Sequence, residues 1–248
     1  MSLDACAGIV RRGDPDRFLA AMATPVADRA VLFPIYAFNV EIARAPWVAS
    51  EPAIAEIRLQ WWRDALDEIS SGGNVRRHEV VTPLASVLDA DGARLLDDLI
   101  LARRWDVYND PFADAAEFST YLDRTAGNLV WSTARASGVT GGEAAIRDIA
   151  WASGLANMFL AVPELVARGR NPLIDPDPQS IRDLAGQGLR RLASAEPGKR
   201  ARAALMATWR AKPLLKRAVR NPGCVLRCGL RQAEISRRAG LILRTLRH

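Results

Sequence analysis

A chain of 248 residues is long enough for one large domain with a real core and short for two. Hydrophobic residues make up 49% and charged residues 25%, the balance of an ordinary soluble globular protein. The net charge of +6 conceals an asymmetry, since residues 1–160 carry 15 arginines against 22 acidic residues and residues 161–248 carry 19 lysines and arginines against six.

Taken in order, the elements read as helices almost throughout. Asp14-Pro15 predicts the cap of a first helix carrying Phe18, Leu19 and Met22. A second runs from about Ala27 to Ala45, its end set by Pro46, because a residue before proline avoids the helical region. The clearest spans about Pro52 to Ser70, where Ile54, Ile57, Trp61, Trp62, Ala65, Leu66 and Ile69 recur at three- and four-residue spacing. Ser71-Gly72-Gly73-Asn74 ends it. Helices follow at Val81–Leu88, at Ala93–Val107, from near Ala113 to Gly138, and from Glu143 to about Gly169. The segment Asn171–Pro178 is a loop, because its three prolines donate no backbone hydrogen bond. Basic helices are expected near Ser180–Ser194, Gly198–Val219 and Cys224–Arg247. The pattern is an all-α bundle.

Three cysteines, Cys6, Cys224 and Cys228, form no disulfide framework and suit a reducing cytosol. Cys224 and Cys228 share a helix face, but two thiolates alone make no zinc site. No uninterrupted apolar run reaches the roughly 20 residues that span a bilayer, and Met1–Ala5 lacks the features of a signal peptide. The expected location is cytoplasmic, with a peripheral place on the inner membrane also open. The basic half fits an anionic partner (membrane headgroups, diphosphates or nucleic acid) or, equally, a solvated arginine-rich surface. Nucleic acid ranks last, because the stretch has neither a recognition motif nor interleaved aromatics.

Tyr36-Ala37-Phe38 opens a segment that resembles the first signature of the squalene/phytoene synthase family, Y-A-F-x-R-x-x-D-D-x-x-D. The family's arginine falls on Val40, its paired aspartates on Ala43 and Arg44, and its last aspartate on Trp47. The second signature, roughly T-N-I-L-R-D-V-x-E-D-x-x-x-G-R-x-Y-L-P, is met at Asn157, Val162, Glu164, Gly169 and Arg170. Leu160, Ala161 and Leu165 stand where it has arginine and aspartates. Tyr121, Ala126 and Gly127 fit the family's Y-x-x-x-x-A-G element. One branch is more similar: the mitochondrial complex I assembly factors related to phytoene synthase, with their bacterial relatives, which read A-F-N-V-E-[IL]-A and then R-x-Q-x-W. Here those are Ala37 to Ala43, followed by Arg58, Gln60 and Trp62. The resemblance runs from about Arg17 to Leu173 and implies an isoprenoid-synthase-like helical bundle in a single domain over 1–248. The basic part, 180–247, is matched only by its helical character.

In the family, the aspartates hold magnesium against a prenyl diphosphate and so assist its ionisation. Mg²⁺ takes hard oxygen ligands in near-octahedral array, and as a Lewis acid contributes several kcal/mol to such charge development. Alanine, leucine and tryptophan offer no such oxygen, and arginine repels the ion. Glu41 and Glu164 are the acidic residues left in the two signatures, and salt bridges to arginines such as Arg44 or Arg168 are the simpler account of them. Asp97, Asp98, Asp110, Asp123, Asp175 and Asp177 form no third-carboxylate pattern. Arg58 and Trp62 share a helix face with Gln60 roughly opposite, so Arg58 is expected partly buried, either bridged to Glu41 or binding an anion. His78, in a polar loop, has no nucleophile in view, and Trp61 and Trp62 read as core or as pocket lining, since packing and lipid binding use the same side chains.

These readings imply a family member that binds rather than catalyses, acting as an assembly factor, with respiratory complex I the assembly suggested. The alternative is an active prenyltransferase with an altered magnesium site; otherwise no cofactor is expected. Candidates for a ligand pocket are Tyr36, Phe38, Glu41, Arg58, Trp62, Tyr121, Gly127, Asn157 and Arg170, with no catalytic residue or metal ligand assigned. Expected partners are a prenyl or lipid chain in the bundle, a respiratory complex subunit, and an anionic membrane surface met by the basic C-terminal part.

Overall fold

The computed structural model describes residues 3–49, 51–108, 110–227, 230 and 232–246, excepting the side chains of Ser236 and Leu246. Cys228 and His248 lie outside the described residues, and the Cys224–Cys228 pair with them. Among the described residues all regular elements are helical: α1 (Leu3–Gly13), α2 (Pro15–Met22), α3 (Val26–Val48), α4 (Pro52–Ser70), α5 (Val81–Ala85), α6 (Ala90–Arg103) and α7 (Ala115–Leu122). A π-turn over Asp123–Gly127 precedes α8 (Asn128–Ala136) and α9 (Glu143–Ala167). The rest are α10 (Pro178–Ser194), α11 (Arg202–Leu205), α12 (Ala211–Arg220), α13 (Gly223–Arg227) and α14 (Glu234–Leu246). The helices group into two compact units, one from 1–108, 128–141 and 198–207, the other from 109–127, 142–197 and 208–248.

In the first unit α3 is central. It is apolar nearly all round, burying Leu32, Phe33, Ile35, Tyr36, Ala37, Phe38, Val40 and Ile42, as a helix must when covered on every side. Helices α1, α2, α4, α5, α6 and α8 pack against it. The Asp14 carboxylate accepts the Arg17 N–H at 2.9 Å and starts α2, with Pro15 at its first position. Pro46 does not end α3 as the sequence suggested: the helix carries both Pro34 and Pro46 and continues to Val48. The bond lost at Pro46 belongs to the last turn, and the burial of α3 outweighs it. Helix α4 has the bounds its periodicity predicts, with Pro52 at its start and Gly72 at φ +68° beyond its end.

In the second unit α9 is central, packed by the π-turn, α7, α10, α12 and α13. It is long and apolar enough to cross a membrane, yet 56% of its apolar window is buried inside the protein. Gly154 lets the π-turn approach: a Cβ there would stand 2.8 Å from the Ala126 Cβ. The predicted helix over Gly198–Val219 is broken by 3₁₀ turns at Lys199–Ala201 and Met206–Thr208. Ala203, Ala204, Leu205 and Met206 are buried in succession, a run that no single helix face can cover. The predicted helix over Cys224–Arg247 is likewise two helices, α13 and α14.

Candidate functional site

A groove of about 540 Å³ opens in the first unit between the end of α3 and the front of α4. Helix α3 supplies Glu41, Arg44, Ala45 and Val48, α4 supplies Ile57, Arg58, Trp61 and Trp62, and the strap before α5 supplies His78. Its wall is aromatic. The Trp61 and Trp62 rings meet edge to face at 5.0 Å, and His78 packs on them at 5.0 and 5.4 Å. Phe38, buried in α3, supports Trp62 from behind at 5.5 Å. The Val80 N–H donates to His78 Nδ1 at 3.2 Å, so in the neutral imidazole the proton sits on Nε2.

The rim is cationic. The Arg44 side chain is 58% exposed and lies 3.5 Å from Glu41. Arg58 is exposed and forms no ion pair among the described residues. The expected Arg58–Glu41 bridge is absent, because the first turns of α4 bury only Ala55 and Leu59 and leave Arg58 in solvent. Gln60 points outward, donating to Asp64 at 2.7 Å. Arg76 braces the wall: its guanidinium lies 4.8 Å over the Trp61 ring and binds both Glu68 oxygens. That hydrogen bonding holds the Glu68 carboxyl below the ordinary range.

Of the nine sequence candidates, five lie in the first unit and four in the second. Glu41, Arg58 and Trp62 line the groove, and Phe38 backs it. Tyr36 is core, with the Arg17 guanidinium 5.7 Å from its ring and burial pushing its phenol up. Tyr121, Gly127, Asn157 and Arg170 belong to the second unit. There the Y-x-x-x-x-A-G element is packing: Tyr121 meets Phe112 at 5.3 Å, Ala126 meets Gly154, and Gly127 leaves room for the Asp123–Arg147 pair at 3.2 Å. Asn157 is exposed and Arg170 half-exposed. A second cavity, of about 420 Å³, is lined by residues including Phe118, Ile174, Leu184 and Arg190 and holds none of the nine.

Ile57, Trp61 and His78 are groove residues that the motifs did not single out, and Arg44 is one that stands at a motif aspartate position. Ile57 and Trp61 share the three-and-four spacing of Trp62. The place of His78 depends on the strap folding back over α4, which has no local signal.

Among the described residues the groove lining offers guanidinium groups and aromatic faces, together with the Glu41 carboxylate and the His78 imidazole. Among the described residues no three histidine, cysteine, aspartate or glutamate side chains gather to hold a metal. Glu41 is paired with Arg44, and Glu164 with Arg168 at 2.6 Å. The magnesium of prenyl diphosphate ionisation therefore does not fit the residues of the two signatures.

An all-α fold of the isoprenoid-synthase kind, with arginine and apolar side chains at the aspartate positions, is the class these features define. The squalene/phytoene synthase family profile matches residues 10–238, and the chain belongs to that family. It is similar to a Drosophila melanogaster homolog of NADH dehydrogenase (ubiquinone) complex I assembly factor 6, with 25% identity over 78% of this chain and 60% of the fly protein. The Bos taurus assembly factor 6 is 25% identical over 66% of this chain and 50% of its own length, and the Homo sapiens protein 24% over 64% and 48%. The chain thus spans about half to three fifths of the curated relatives it matches. Among solved structures, a dehydrosqualene synthase superimposes with a TM-score of 0.60 at 16% identity, covering 98% of this chain and 83% of that one. A squalene synthase from Alicyclobacillus acidocaldarius gives 0.60 at 14%, covering 98% and 89%. These two likenesses establish the fold.

Proposed function

We propose that this protein is a non-catalytic member of its family that works by binding, as an assembly factor for respiratory complex I. The observation that carries this is the fate of the carboxylates. At the five aspartate positions of the two signatures stand Ala43, Arg44, Trp47, Ala161 and Leu165, and the remaining Glu41 and Glu164 are each tied to an arginine. Similarity to proteins named complex I assembly factor 6 supports the choice of complex. In this reading the groove between α3 and α4 is the contact site, with Arg44 and Arg58 taking an anionic group and Trp61 and Trp62 an apolar one. The site of action is the cytoplasmic face of the inner membrane.

Deletion of the gene, followed by native-gel and NADH-oxidation measurement of complex I, tests the proposal. Loss of assembled complex, restored by the intact gene and not by an R58E/W61A variant, is the expected result. Normal complex I level and activity in the deletion strain would overturn it.

A further inference from the structure

Helix α14 wears its apolar side outward. Ile235, Ile242 and Leu243 are 84%, 59% and 54% exposed, and Ala239 between them is exposed too. At 3.6 residues per turn these four fall in one sector of the helix. On the opposite side Leu241 is buried, and Gly240 rests against the Trp209 ring, where a Cβ would stand 3.4 Å from Cζ3. Arg237 and Arg244 lie on that inner side and are only half-exposed. A surface helix of a globular protein has the reverse polarity, with apolar residues inward and charges in water.

The charge of the segment that carries this stripe is one-sided. Residues 208–248 carry eleven lysines and arginines against one acidic residue, Glu234, and Glu234 is itself paired with Arg238. On α12, in the same unit, Lys212, Lys216, Arg217 and Arg220 form the exposed face, while Leu214, Leu215 and Ala218 are buried. What covers the stripe must therefore tolerate a dense positive field. The stripe is purely aliphatic, whereas protein interfaces draw their energy from tryptophan, tyrosine and arginine anchors in pockets. An aliphatic stripe on a helix of a cation-rich segment matches a helix lying in a lipid interface.

We propose that α14 is a docking element for an anionic lipid surface, with Ile235, Ile242 and Leu243 entering the acyl boundary and the α12 cations facing headgroup phosphates. This stands independently of the complex I reading, because it concerns a surface and not the groove.

Flotation of the full chain with vesicles tests it. Binding to phosphatidylcholine vesicles containing roughly one third phosphatidylglycerol should exceed binding to pure phosphatidylcholine about tenfold and weaken with salt. An I242D/L243D variant should lose at least about tenfold of that binding with unchanged circular dichroism, since both side chains are already in water. A K212E/K216E variant should lose most of the preference for anionic vesicles while leaving the stripe intact. Equal binding to both vesicles, or binding indifferent to I242D/L243D, would overturn the proposal. So would a dimer in solution that I242D/L243D dissolves, because a second copy would then be the cover.

Discussion

Phe38 and Trp62 meet edge to face with ring centroids 5.5 Å apart, which joins the Y-A-F segment of α3 to the R-x-Q-x-W segment of α4. Phe38 is fully buried and Trp62 is 6% exposed, so one sequence feature supports the other. Truncation of Trp62 to alanine is expected to cost about 3–5 kcal/mol. A double-mutant cycle with Phe38→Leu should return a coupling of about 0.5–1.5 kcal/mol for the ring pair. Denaturant titration of the four proteins gives both numbers; strictly additive effects would mean that the contact contributes nothing beyond burial.

Gly154 marks where α9 receives the π-turn, and its test is steric. Gly154→Ala sets a methyl group against the Ala126 methyl at 2.8 Å and should destabilise the protein by about 1–3 kcal/mol. Ala126→Gly in the same chain should recover part of that loss. Thermal melts of the single and double variants check the order.

The Glu68–Arg76 pair predicts an acid dependence. Glu68 is hydrogen-bonded by the Arg76 side chain and its backbone N–H, which lowers the carboxyl pKa in the folded state. The stabilisation is present above the unfolded glutamate value of about 4.3 and is lost as pH falls through the lower folded value. Melting temperature followed between roughly pH 3 and 6 should fall more in the parent than in Glu68→Gln. Arg76→Ala should also alter the emission of Trp61 by uncovering its ring.

Incubation with farnesyl or geranylgeranyl diphosphate and Mg²⁺ is expected to yield no squalene- or phytoene-like hydrocarbon. If a prenyl or acyl chain binds, it should raise the melting temperature equally in magnesium and in chelator. A hydrocarbon product, or a shift that needs the metal, would mean that carboxylates outside the two signatures act together.

Much of this architecture is legible residue by residue. Helix α4 announces itself through Ile57, Trp61, Trp62 and Leu66 at helical spacing, with Pro52 and Gly72 at its limits. Helix α3 is readable except at Pro46, where burial of the whole helix overrides a local preference. Helix α1 lies ahead of the Asp14-Pro15 pair, which marks the start of α2 and not of α1. The breaks near Lys199 and Met206 escape because Arg202, Ala203 and Ala204 are good helix formers, and tertiary burial turns the chain. In the groove, Glu41, Arg58 and Trp62 follow from motif positions. Trp61 and His78 meet at 5.0 Å across a reversal of the chain, and no local pattern encodes that contact.

Cys6 lies at 0% exposure on α1, which packs on α3. Burial, with the nearby Glu79 charge, pushes its thiol up to about 11, so almost no nucleophilic sulfur exists near neutral pH. An alkylating reagent can reach this sulfur only when the N-terminal helix lifts away. Mass-resolved labelling of that one position would therefore time the opening of the first unit without any engineered probe.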